Sequence, residues 1–87
     1  MIPDSILNVL PRDGRERLTA VSAYIENTRS EVIYEMELTE YLSKNKIRSD
    51  KELLRQTLGI LRVFCPEQYR KIKLDPNLDP PEYIDPV

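Results

Sequence analysis

No proline interrupts the run from Asp13 to Asn45, and its apolar side chains fall on two opposed helical faces. At about 100° per residue, Leu18, Val21, Ile25, Val32, Ile33 and Met36 share one arc, while Ala20, Ala23, Tyr24, Tyr34, Leu38, Tyr41 and Leu42 lie opposite. A helix in a small protein buries one apolar face, so two faces on one straight rod call for a second covering surface. The pattern therefore predicts a continuous helix over about 13–45 and self-association through Tyr24, Tyr34, Leu38, Tyr41 and Leu42. A charge placed at Tyr34, Leu38 or Leu42 is then expected to dissociate an assembly without unfolding it. The competing reading is a break at Asn27–Ser30, where Thr28 and Glu31 have capping-box spacing and restart a helix in a new direction.

The flanking segments read as shorter helices. Pro3, Asp4 and Ser5 precede Ile6, Leu7, Val9 and Leu10, a short helix stopped by Pro11. Arg12, Asp13 and Gly14 read as a turn, with Asp13 capping the long helix. Ser43 to Lys46 end that helix, and Ile47 to Ser49 turn the chain back. Ser49 and Glu52 have the spacing of a capping box and open a second helix over about 49–64, in which Leu53, Leu54, Leu58, Ile60, Leu61 and Phe64 form a broad apolar arc. Pro66 suits the first turn of a final helix, PEQYRKI, with Tyr69 and Ile72 inward. The expected fold is all-α, an antiparallel helical hairpin with short flanking helices and an extended, Pro-rich, acidic C-terminal tail.

At 87 residues the chain makes one small domain with little room for a deep substrate pocket. Pro76, Pro80, Pro81 and Pro86 alternate with Asp75, Asp79, Glu82 and Asp85, so the helical domain is expected over 1–74 and the flexible tail over 75–87. Within the tail, Tyr83 and Ile84 are the anchors a linear motif would use. The lone Cys65 forms no intrachain disulfide and suggests a reducing, cytoplasmic compartment. Neither a basic leader with a long apolar run nor a membrane-spanning stretch is evident, so neither export nor membrane insertion is expected.

Chemistry is sparsely provided for. There is no histidine, one cysteine, and only Gly14 and Gly59, so a zinc or iron–sulfur ligand set and a phosphate-cradling glycine loop are both missing. Glu31, Glu35, Glu37 and Glu40 have helical spacings but read as a solvated row. Cys65 has no histidine to act as its base. The expectation is a protein without catalytic residues, metal or cofactor.

Charge is unevenly spread beneath a formal net value of −2. Lys44, Lys46, Arg48, Lys51 and Arg55 gather where the second helix begins, a patch suited to phosphate or to an acidic partner. The string YLSKNKIRSDKELLRQTL, Tyr41 to Leu58, resembles the helix–turn–helix half of ribbon-helix-helix repressors, in which a polar turn and a capping serine precede a leucine-rich helix, here Glu52 to Leu58. That resemblance implies an intertwined dimer that reads DNA through a strand preceding the first helix. The segment considered for that strand, Leu18 to Ile25, lies far upstream and has helical periodicity. Taken together, the sequence predicts a non-enzymatic helical adaptor or regulator acting through another protein and through homo-oligomers. A small DNA-binding transcriptional regulator using segment 41–58 is the alternative.

Overall fold

The expected rod is two helices. In the computed structural model, which describes residues 2–76 and Pro81, α2 runs Arg12–Asn27 and α3 runs Glu35–Lys44. Thr28 turns extended at φ −87° and ψ 141°. The break needs neither glycine nor proline, because hydroxyl side chains compete with the helix for local backbone groups. The Ser30 N–H donates to Thr28 Oγ1 at 3.4 Å, and Ser30 Oγ donates to the Val32 carbonyl at 2.7 Å. Ile33 then enters β1, Ile33–Tyr34, which pairs in parallel with β2, Ile72–Lys73, placing Ile33 opposite Ile72. The Ile33 N–H donates to the Lys71 carbonyl at 2.7 Å. The capping-box restart at Thr28 and Glu31 is not used; the next helix starts at Glu35.

The break resets the helical phase, and with it the identity of the core. Leu18, Val21, Ile25 and Ile33 are buried as expected of the first stripe, but Val32 is 45% and Met36 65% exposed. Leu38 and Leu42, assigned to the outward face, are wholly buried. They join Leu54, Leu58, Leu61 and the buried members of the first stripe, Leu18, Val21, Ile25 and Ile33, in one core cluster. One chain thus covers both apolar faces by folding one half of the supposed rod against the other.

The remaining elements are α1, Asp4–Val9; α4, Lys51–Phe64; and α5, Pro66–Tyr69. Pro11 precedes α2, so Asp13 and Gly14 lie inside its first turn and Asp13 is not its cap. At α4 the cap is Asp50, whose Oδ1 accepts from the Leu53 N–H at 2.8 Å; Ser49, one residue early, leaves its buried Oγ without a partner. Pro66 does open α5, but that helix ends at Tyr69 and Ile72 belongs to the strand pair. The described residues are therefore mostly helical, as expected, with one short parallel two-strand bridge that the sequence did not predict. Among the described residues, no helix is long and apolar enough to cross a membrane.

The end of α3 carries its own stop. Ile47 N–H donates to the Leu42 carbonyl at 2.9 Å and Lys46 N–H to the Ser43 carbonyl at 3.1 Å, the double bond of a Schellman motif. This places Lys46 at φ 57°, in the left-handed region that glycine occupies most readily. Lys46→Gly is accordingly expected to raise unfolding free energy by about 0.5–1 kcal/mol, measured by urea denaturation.

Arg17 was not singled out by its sequence, yet it is 3% exposed. Its Nε donates to Thr57 Oγ1 at 3.1 Å and its Nη1 to the Arg48 carbonyl at 2.6 Å, joining α2 to α4 and to the segment before α4. Asp13 Oδ2 lies 3.8 Å away. Burial lowers the guanidinium pKa from its ordinary value, and the carboxylates of Asp13 and Asp50 oppose that shift.

Candidate docking surface

The residues that the sequence assigned to a partner interface separate into three environments. Leu38 and Leu42 are core. Tyr24 and Tyr41 are half-buried and stack on each other across α2 and α3, ring centroids 4.7 Å apart and planes tilted by 45°. Tyr34 remains, 54% exposed. Three of the five large apolar residues that stand exposed among the described ones, Val32, Tyr34 and Met36, therefore fall within one short stretch around β1.

Tyr34 and Met36 border an open groove of about 430 Å³ between the start of α3 and the segment that follows β2. Leu74 and Pro76 line the opposite wall, and Glu35, Glu37, Glu40, Lys73 and Asp75 complete the lining. Four carboxylates thus stand against one ammonium around an apolar floor. This surface is not legible in the residues alone, because helical period puts Met36 on the core stripe and Leu74 is the last residue of the expected domain. The one signal in the residues was the β-branched and aromatic run Val32-Ile33-Tyr34, which suits a strand; its exposed, buried, exposed alternation emerges only in the fold.

Glu37 fixes the geometry of the groove. Its Oε2 accepts from Tyr24 Oη at 3.0 Å and its Oε1 from the Tyr34 N–H at 3.4 Å, tying α3 to α2 and to β1. Because Ile33 faces β2 with its N–H, the Val32 carbonyl and Tyr34 N–H face the other edge. Those two groups are taken by Ser30 Oγ and Glu37, so this edge of β1 is blunted against pairing with a further strand. Burial, followed by the bond to Glu37, raises the Tyr24 pKa. A phenol whose folded pKa lies above its unfolded value of about 10 stabilises the fold fully below that value and ceases to do so as pH rises through the folded value. Tyr24→Phe is expected to cost about 1 kcal/mol at neutral pH and to flatten the loss of stability above pH ~10, as read from denaturation midpoints.

The basic residues occupy a different region. Lys44, Lys46, Arg48 and Lys51 are exposed on the end of α3, residues 45–50 and the start of α4. Arg55 is half-buried and pairs with Glu52 at 3.3 Å. Residues 45–50 make a longer connection than the roughly three- or four-residue turn of DNA-binding helix-turn-helix units. A strand does precede two helices, as in the repressors that segment 41–58 resembles, but β1 pairs with β2 of its own chain. Tyr83 and Ile84 lie outside the described residues. Pro81 is buried, and its carbonyl accepts from Arg62 Nη1 at 2.9 Å.

Compared with protein-family models, curated proteins and solved structures, the chain matches none of them.

Proposed function

We propose that this protein is a small non-enzymatic interaction module that docks a segment of another protein in the groove between α3 and the end of β2. The observation that carries the reading is the exposure of Tyr34 and Met36 on the lining of this groove, close in sequence to exposed Val32, in a domain whose other apolar side chains are largely gathered in its core. Contiguous exposed apolar surface costs solubility and marks interaction sites. Aromatic residues and methionine are also the types enriched at protein interfaces. Self-association is no longer required, since Leu38 and Leu42, which called for a second copy, are covered within one chain.

The test is selection of random peptides displayed on phage against the immobilised protein. Met36 is 65% exposed, so Met36→Glu is expected to leave stability within about 0.5 kcal/mol of wild type. It should weaken the selected peptides by more than about tenfold. Peptides that bind the Met36→Glu protein unchanged would refute the site.

The exposed lysines and Arg48 before α4 support one further reading, binding of DNA phosphates. It predicts retardation of duplex DNA that disappears steeply with added salt and on replacing Lys46 and Arg48 with glutamate. No retardation at low salt would remove it.

A further inference from the structure

Resting on the docking reading above, we infer that the groove takes a cationic, apolar segment of another protein, one large apolar side chain flanked by arginine or lysine. The apolar floor supplies the anchor site: Tyr34 and Met36 from one wall face Leu74 and Pro76 on the other. The rim supplies the sign. Glu35 and Glu40 from α3 and Asp75 beyond β2 surround that floor, with Lys73 as the single cation among the lining residues. An anionic occupant, whether a phosphopeptide, nucleic acid or acidic tail, would bring like charges together over an apolar surface, which is unfavourable where water is partly excluded. A cationic occupant pairs with the rim instead, and Tyr34, 54% exposed, offers an aromatic ring to its guanidinium or ammonium group.

The backbone narrows the mode of binding. With the Val32 carbonyl accepting from Ser30 Oγ and the Tyr34 N–H donating to Glu37, two of the backbone groups that would extend the sheet on this edge of β1 are already engaged. The segment is accordingly held mainly by side chains, and its specificity lies in the anchor and the adjacent charge more than in strand addition.

Fluorescence anisotropy with the full chain and four labelled synthetic peptides of equal length tests this. The first carries a phenylalanine between arginines, the second the same phenylalanine between serines, the third between glutamates, and the fourth has arginines around alanine. Two partly screened ion pairs correspond to about tenfold, so the first peptide should bind about tenfold more tightly than the second and more tightly still than the third and fourth. The preference should shrink in high salt and in Glu40→Lys, which leaves three carboxylates against two ammonium groups in the lining, while Met36→Ser, which removes the apolar contact without adding charge, weakens the three phenylalanine peptides. Equal binding of the first three peptides, lost on Met36→Ser, would overturn the charge preference and leave the docking reading standing. Binding of none, or binding untouched by Met36→Ser, would overturn both. A protein that sediments as a dimer and becomes monomeric on Met36→Glu would show that a second copy fills the groove, and would equally overturn the inference.

Discussion

Replacing Leu42 with aspartate is expected to unfold the protein, and Leu42→Ala to destabilise it by about 3 kcal/mol. The side chain is wholly buried in the core cluster that also holds Leu18 of α2 and Leu54, Leu58 and Leu61 of α4, so truncation leaves a cavity and a carboxylate would sit without a partner. Leu38 stands one turn away in the same core, and its charged variant should behave alike. A domain of this size commonly has roughly 4–13 kcal/mol of total stability, which a loss of about 3 kcal/mol reduces substantially. Circular dichroism with urea denaturation measures it. A Leu42→Asp protein that stays folded and only changes its oligomeric state would restore the outward-facing helix of the unbroken rod.

The second large effect is expected at Arg17. Arg17→Ala should cost about 3 kcal/mol, because it removes two charge-assisted hydrogen bonds and the packing of the aliphatic stem. The guanidinium reaches Thr57 and the Arg48 carbonyl with different nitrogens, at 3.1 and 2.6 Å. Arg17→Lys should recover less than half of the loss, since a point-like ammonium cannot reproduce the fork. Urea denaturation of both variants checks this, and an Arg17→Ala midpoint equal to that of wild type would contradict it.

Part of this architecture was legible in the residues. Proline placement and period gave α1, α4 and the start of α5, and Leu18, Val21 and Ile25 gave the buried face of α2. The misplaced elements share one cause. Extending a single helical phase through Thr28 carried Val32 and Met36 inward and Leu38 and Leu42 outward. Asn27, Thr28 and Ser30 held the contrary signal, but it is weak and local, and the Ile33–Ile72 pairing that accompanies the break joins residues far apart in the chain. Arg17 was illegible for a similar reason: an arginine beside an apolar stripe reads as a solvated flank until Thr57 and the Arg48 carbonyl converge on it. The basic patch was legible as a set of exposed charges. The groove was not, because its two walls, residues 34–40 and 73–76, come together only through the strand pair.

Where the chain leaves helix after Asn27 decides which leucines are inside and which surface is left to bind. Amide hydrogen exchange, resolved by residue, tests that most directly. Rapid exchange at Arg29, Glu31 and Val32, between protected amides in residues 21–25 and 38–42, is the predicted pattern. An unbroken protected run from Leu18 to Leu42 would contradict it.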